Sequence, residues 1–349
     1  MNGSQPKISV VMPVYNGQCY LCEAVDSILN QTFSDFEFII IDDGSTDGTW
    51  NILEKYSKQD QRIQIYRNAT NLGITKTLNR GLHIARGDYI ARQDSDDISM
   101  PDRFQKQVDI LDNQPQTILV SCNMELIDPE GKIIGHIRRA CDLVMVRWYL
   151  LFYNHISGHS QVLFRRKQAL ECGGYLGSRS HNEDYEMWSQ LINRGEIVIL
   201  HDSLLKYRKH LESISIQNQT RQRLSSVTQS KINIEKVVDR ELTLEEATAL
   251  RAFFEPGSQY IPCLEELGPS FFHSRLSEIY HAFRMKNESR YGFHDCLQIR
   301  SEIQHRFSLW AKRLSWHKNF SLKLMVVFYA FAWCHLKSYF SLIKTIFFS

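Results

Sequence analysis

The sequence predicts an α/β protein: a mostly parallel β-sheet flanked by helices on both faces. Three observations carry this reading. Residues 8–12 and 36–41 are continuous apolar runs of strand length, as expected of strands buried on both faces. Between them Leu21, Val25, Ile28 and Leu29 recur at helical spacing. Turn-forming residues close each run, Pro13 after the first and DDGSTDGT at 42–49 after the second.

The alternation continues along the chain. Ile52, Leu53 and Tyr56 mark a second helix, 62–66 alternates like a strand, 74–85 reads as a helix and 88–91 begins a fourth strand. The middle third is less regular. Residues 118–121, 161–164 and 197–200 read as strands, and Gly173 and Gly174 break the chain before an acidic helix over 183–192. From about residue 217 the pattern is helical, and Thr243 with Glu246 forms a capping-box sequence ahead of Leu250 and Phe253. The expected organisation is a first domain over 1–220, with halves at 7–115 and 116–220, and a helical region over 221–349.

The chain has 349 residues, 43% hydrophobic and 23% charged, with a net charge of +2. That is the balance of a folded globular protein, and it argues for no nucleic-acid partner. Of the eight cysteines only Cys19 and Cys22 lie close together. One C-x-x-C without a second pair reads as ordinary helix residues rather than zinc ligands, and the scatter suggests a reducing, cytoplasmic compartment. The first ten residues contain no apolar core of an export signal.

The chemistry is expected at the strand ends. In such sheets ligands bind beyond the carboxyl ends of the strands. Asp42 and Asp43 follow the second predicted strand, and Asp94, Asp96 and Asp97 follow the fourth. Three carboxylates within four residues repel one another unless solvated or neutralised by a cation. Hard oxygen ligands suit Mg²⁺ or Mn²⁺, which in turn bridge phosphate oxygens. The competing reading is a solvated acidic turn, since Asp is common there.

At this point the sequence resembles glycosyltransferase family 2, with its GT-A, Rossmann-like fold. The segments similar to family motifs are ISVVMPVYN at 8–16, IDDGSTDGT at 41–49, Asn71 to Gly73, Asn79 to Gly81, and 87–97 ending in a D-x-D. The likeness continues through 159–165, Gly173 to Tyr175, Asn182 to Asp184, Tyr207 to His210 and Ser213 to Ser215. It covers about residues 7–215. One departure is Gln93, where an apolar residue is expected.

The resemblance implies an inverting, metal-dependent transferase that moves a sugar from a nucleotide-sugar donor to an acceptor hydroxyl. The acceptor would be a saccharide or a lipid-linked sugar of polysaccharide or glycolipid assembly. It implies that Tyr15 stacks on the donor base, Asp43 accepts from a base N–H, and Asp42 supports that loop, with Pro13 and Arg92 in the same donor site. Asp94 would contact the ribose or a metal-bound water, and Asp96 would ligate the metal with Asp97 beside it. His210 would contact the metal or the phosphates. Asp184 would be the general base that activates the acceptor hydroxyl. His159 would line or support the acceptor pocket. The plain alternative for Glu183, Asp184 and Glu186 is an acidic helix start, where negative charge is favourable.

Three rival classes are weighed against this, one of them a nucleotidyltransferase, which also needs metal-bound phosphates but would release pyrophosphate rather than a nucleoside diphosphate. A non-catalytic subunit that binds sugar-nucleotide or a partner could use the same fold, though the intact acidic motifs count against it. A dehydrogenase fails for want of G-x-G-x-x-G after the first strand.

The C-terminal stretch is basic and aromatic. Residues 303–349 hold seven Lys or Arg and no Asp or Glu. Residues 324–336 carry no formal charge, too short a run to span a bilayer. Lys323, Lys337, Ser341 and Lys344 share a narrow helical arc, and Phe328, Phe331, Trp333 and Phe340 are available for the apolar side. The expectation is a helix lying on an anionic membrane at the inner face of the cell membrane, with its lysines towards water. The alternative is a helix docked on the protein's own core or on a partner.

Overall fold

The computed structural model describes residues 5–177, 182–210, 219–255, 261–314 and 320–333. These form two compact units, one of Met1–Leu143 with His155–Ser225 and the other of Val144–Asn154 with Ser226–Ser349.

The first unit is built on a nine-stranded sheet. Its elements begin β1 Ile8–Val14, α1 Leu21–Leu29, β2 Phe36–Asp42, α2 Thr49–Gln59, β3 Ile63–Arg67, α3 Ile74–Ile84 and β4 Tyr89–Arg92. They continue β5 Ile98–Ser99, α4 Arg103–Asn113, β6 Thr117–Ile127, β7 Ile133–Ile137, α5 Leu143–Tyr149, β8 Leu163–Arg165, α6 Arg166–Glu171, α7 Glu183–Leu191 and β9 Glu196–Arg208. α5 passes into the second unit. The strand order is β3-β2-β1-β4-β8-β6-β9-β5, with β7 paired to β6. β1 to β4 pair in parallel, as does β6 with β9, while β8 is antiparallel to both β4 and β6.

Every residue of β1 and β2 is buried, which is why those strands read as unbroken apolar runs. α1 covers them with Leu21, Ala24, Val25 and Ile28, all fully buried. Pro13 does not end β1. The β1–β4 pairing stops at Val11, whereas β2 pairs on to Val14. Val14 O accepts from Asp43 N on the β2 side and Val11 O from Gln93 N on the β4 side. Pro13 shares the orientation of Val11, so its missing N–H falls where no partner strand remains. β6 and β9 run far beyond the short strands expected from the sequence, because they pair with each other along most of their length.

The order 3-2-1-4 reverses direction between β1 and β4, a topological switch point. Both predicted acidic groups emerge beside it, Asp42 and Asp43 from the end of β2 and Asp94 to Asp97 from the end of β4.

The second unit is helical, with α8 Gln219–Val238, α9 Leu244–Phe254, α10 Ile261–Asn287, α11 Phe293–Arg313 and α12 Phe320–Ala332. Thr243 and Glu246 form the capping box expected at α9. α10 is interrupted at Gly268, ahead of Pro269. An aromatic core joins Trp148, Phe152, Phe254 and Phe283.

α12 corrects the expected arrangement of the tail. Lys323 is buried and its Nζ donates to Leu314 O at 3.1 Å, instead of facing water. Val326, Val327, Ala330 and Trp333 are buried, and Trp333 Nε1 reaches His273 Nδ1 at 3.1 Å. The reason is the apolar arc itself, which finds a core within its own unit. What faces outward is apolar too: Leu324 and Met325 are exposed, and Phe328 is 66% exposed. Lys337, Phe340, Ser341 and Lys344 lie outside the described residues. Among the described residues no helix is long and apolar enough to cross a membrane.

Candidate functional site

Two loops at the sheet's carboxyl rim are laced together. Asn16, with a left-handed φ of 51°, donates its N–H to Ser45 Oγ and accepts Thr46 N–H on Oδ1, both at 2.9 Å. Gly17 N donates to Thr49 Oγ1 at 2.9 Å, and Gly48 N to Gln18 Oε1 at 2.8 Å. These bonds fix the turn that presents Tyr15, a ring left 48% exposed. An exposed aromatic held by a braced turn is a ready stacking platform.

Asp42 and Asp43 are buried beneath this turn. Asp42 Oδ1 accepts Ser45 N at 2.9 Å, and Oδ2 lies 3.0 Å from Arg67 Nε. Asp43 Oδ1 accepts Asn68 Nδ2 at 2.6 Å and Leu72 N at 2.9 Å, while Oδ2 accepts Gly73 N at 2.9 Å. Asp43 thereby ties the β3–α3 loop to the end of β2. Gly73 takes a φ of +87° at that loop, which a side chain would strain.

The acidic loop after β4 is held from several sides. Arg92 is 1% exposed, and its guanidinium meets Asp94 Oδ1 at 2.5 Å. Ser160 Oγ donates to Asp94 Oδ2 at 2.7 Å and accepts Asp94 N–H at 2.9 Å. Burial works to raise the Asp94 carboxyl, but the Arg92 guanidinium and the Ser160 hydroxyl oppose it and leave it below the usual carboxylate range. Gln93 explains its own departure from the expected apolar residue. Its amide donates to Asp97 O at 2.8 Å and Asp94 O at 3.1 Å, and its Oε1 accepts from Ser99 Oγ at 2.7 Å. The side chain stitches the loop's two ends together.

Asp96 Oδ2 lies 2.9 Å from His210 Nε2, and both side chains are partly exposed. Asp97 turns inward. It is buried, its Oδ1 accepts Arg208 N at 3.0 Å, and its Oδ2 has no hydrogen-bond partner. Burial, then repulsion from Asp96 and Asp94, pushes its carboxyl well above the usual range.

Arg208 is a fully buried hub. Nε donates to Asp96 O at 3.0 Å, one terminal nitrogen to Pro129 O at 2.7 Å, and the other pairs with Glu23 at 2.8 Å. Its guanidinium also lies 4.5 Å from the Tyr20 ring, against which His210 packs. Arg103, likewise buried, donates to the carbonyls of Arg92 and Ser160.

The second half of the unit brings up His159, Tyr175, Glu183 and Asp184. His159 Nε2 and Tyr175 OH are hydrogen-bonded at 2.9 Å, and the His159 ring stands edge-on to Trp188 of α7 at 5.7 Å. Burial, with Arg92 adding to it, pushes the imidazole well below its ordinary range, so it is neutral. Burial also raises the Glu183 carboxyl, whose Oε2 is buried without a hydrogen-bond partner. Asp184 Oδ1 accepts Tyr185 N at 2.6 Å at the start of α7. The segment Ser213 to Ser215 lies outside the described residues.

The structure thus joins Arg92 with Asp94 and Asp96 with His210, and leaves Tyr15 exposed. Asp42 and Asp43 brace their own loops, and Asp97 is drawn inside. Among the described residues no three His, Cys, Asp or Glu side chains converge as a metal cage. Sequence reasoning did not single out Ser160, Arg103 or Arg208. Ser160 and Arg208 stand inside matched motifs, the only sequence signal that points to them.

The model of the family described as Glycosyl transferase family 2 matches residues 9–173. The putative glycosyltransferase EpsE of Bacillus subtilis is 30% identical over 290 residues, which are 82% of this chain and 96% of that one. The O-antigen biosynthesis glycosyltransferase WbnJ of Escherichia coli is 32% identical over 214 residues, 59% of this chain and 81% of that one. Residues 1–349 of S. aureus TarS in complex with UDP-GlcNAc share the fold at a TM-score of 0.58 and 17% identity, covering 96% of this chain and 92% of that one. The mannosyltransferase PcManGT from Pyrobaculum calidifontis, in complex with GDP-Man and Mn²⁺, shares it at 0.51 and 14% identity, covering 94% and 86%.

Proposed function

The chain belongs to glycosyltransferase family 2, and from that premise we propose that it transfers a sugar, with inversion, from a nucleoside-diphosphate sugar to an acceptor hydroxyl in polysaccharide or glycolipid assembly. The observation that carries the site assignment is the acidic loop at the switch point, where buried Ser160 holds the Asp94 carboxylate and buried Arg208 holds the backbone carbonyl of Asp96, with Tyr15 left exposed on the neighbouring turn. The O-antigen role in the name of the E. coli relative supports an acceptor that is a saccharide or lipid-linked saccharide. The UDP-GlcNAc and GDP-Man complexes of the two structural neighbours support a nucleotide-sugar donor.

In this reading Tyr15 stacks on the base. Asp43 accepts from a base N–H, Asp42 supports that loop, and Pro13 belongs to the same donor site. Arg92 fixes the Asp94 carboxylate towards the ribose or a metal-bound water. Asp184 takes the proton of the acceptor hydroxyl as it attacks opposite the departing diphosphate. The rest of the catalysis is positioning and charge stabilisation.

The residues fit Mg²⁺ or Mn²⁺ of the kind that takes most of its ligands from substrate. Three carboxylates crowd within four residues, and Asp97 Oδ2 stays buried and unbonded. With no all-protein cage among the described residues, one carboxylate plus diphosphate and water is the arrangement such ions accept. Asp96 and His210 would hold the ion, and Asp97 would shape their loop from behind. When bound, the ion neutralises the charge that grows on the leaving diphosphate. The neighbour that holds GDP-Man and Mn²⁺ supports this reading.

Peripheral contact with an anionic membrane at the inner face is part of the proposal. It is supported by the outward apolar face of α12, Leu324, Met325 and Phe328, and by the acid-free basic stretch 303–349. Full-length protein is expected to sediment with phosphatidylglycerol vesicles at low salt, and Phe328→Ser to sediment less. Binding indifferent to both changes refutes the membrane reading.

The activity is tested by incubating the protein with a panel of nucleotide sugars and Mn²⁺. One donor is expected to release its nucleoside diphosphate in a metal-dependent way. Indifference to every donor, in binding as in turnover, favours a non-catalytic role on the same fold.

A further inference from the structure

Asn79 on α3 and the loop after α6 are far apart in sequence, yet they are clamped. Asn79 Nδ2 donates to Tyr175 O at 2.7 Å, and Tyr175 N donates to Asn79 Oδ1 at 2.9 Å. One amide side chain thus satisfies both backbone groups of one residue. The approach requires Gly174: its φ is +69°, and a Cβ there would stand 2.5 Å from Asn79 Oδ1. Held this way, the buried Tyr175 ring sends its hydroxyl to His159 Nε2 at 2.9 Å. His159 has two further attachments. Its ring stands edge-on to Trp188 in α7, and its chain neighbour Ser160 holds Asp94 through two hydrogen bonds.

A polar path therefore runs from the donor half, at Asn79, through Tyr175 and His159, and then forks. One branch ends on Asp94 and the other, through the ring contact with Trp188, on α7, the helix that carries Asp184 in its first turn. Burial keeps the imidazole neutral. A neutral ring is suited to hold geometry by directional bonds rather than to carry a charge. Bimolecular displacement is sensitive to about an ångström of misplacement between base and donor.

We propose that His159 and Tyr175, anchored by Asn79, are positioning residues that hold α7, through Trp188, so that Asp184 in its first turn stays in register with the donor carboxylate Asp94. The inference rests on the transferase reading above and adds Asn79 and Tyr175 to the residues it uses.

The test is Tyr175→Phe, which deletes one hydroxyl and keeps the ring and the Asn79 clamp, with Asn79→Ala as the second variant. Three quantities are read: kcat and donor KM with UDP-GlcNAc and GDP-mannose as probes, and amide hydrogen exchange along α7 in the ligand-free chain. One buried hydrogen bond corresponds to about a fivefold to tenfold effect. Tyr175→Phe is therefore expected to lower kcat about fivefold to tenfold, leave donor KM within about twofold, and speed exchange in α7 several-fold. Asn79→Ala is expected to do the same and more. Unchanged kcat with unchanged exchange overturns the proposal, as does a rise in donor KM at constant kcat. If wild type turns over neither probe, the donor reading for those sugars falls. Exchange then decides alone: faster exchange in α7 supports the bridge, and wild-type exchange overturns it.

Discussion

Arg208→Leu is the perturbation with the clearest structural cost. The side chain is fully buried, and leucine fills much of its aliphatic volume. Two strong bonds are lost, Nε to Asp96 O at 3.0 Å and the terminal nitrogen to Pro129 O at 2.7 Å. Hydrogen bonds from a charged donor contribute about 1.5 kcal/mol or more each, so the pair accounts for roughly 3 kcal/mol. The Glu23 partner adds little, because its side chain is 55% exposed and water screens the pair. Release from burying a guanidinium offsets part of the loss. A net destabilisation of about 2–3 kcal/mol corresponds to a fall in melting temperature of roughly 5–10 °C for a unit of this size. Differential scanning calorimetry reads it, taking the transition that Mn²⁺ with nucleotide moves upward as that of the first unit. The variant should also bind nucleotide more weakly, since the Asp96 carbonyl is no longer held. Wild-type melting together with wild-type nucleotide affinity would remove Arg208 as the anchor of the acidic loop.

Other outcomes follow from the same geometry. Asp96→Asn should keep the fold and lower turnover by a factor on the order of a hundred or more, measured as nucleoside diphosphate released, because diphosphate stabilisation is a main catalytic term. Asp184→Asn should nearly abolish transfer while calorimetric donor affinity stays close to wild type; loss of donor binding would assign it to the donor site. Tyr15→Ala should weaken nucleotide binding by roughly tenfold or more, the usual worth of an aromatic stacked on a base. For His159, whose folded-state pKa is depressed, the unfolded chain takes up the proton first. Its neutral form therefore contributes stability that is present above the ordinary pKa of about 6.5 and lost as pH falls below it. Urea titrations across pH 5 to 8 should show His159→Gln with a shallower acid loss than wild type, and identical slopes would refute the assignment.

The strand–helix alternation of the first unit was legible because β1 and β2 are buried on both faces, and burial writes itself as unbroken apolar runs. Residues that do their work through partners remote in sequence were not legible. Pro13 reads as a stop in a linear scan, yet the strand continues because only one neighbour persists there. Gln93 looked out of place until its amide was seen to join both ends of the acidic loop. Lys323 fell on a plausible polar arc, but the position of Leu314 O decided its fate. Asp94, Asp96 and Tyr15 could be marked as candidates from motif order, whereas their supports, Ser160 and Arg208, required the pairing of β9 with β6 and the placement of β8.

The most direct test of the central claim is calorimetric binding of UDP and GDP to wild type and Asp96→Asn, with and without Mn²⁺. The account predicts that one nucleotide binds wild type at least about tenfold more tightly with Mn²⁺, and that Asp96→Asn loses most of that gain. Binding unaffected by Mn²⁺, or equally strengthened by it in both proteins, would contradict a diphosphate site built on Asp96.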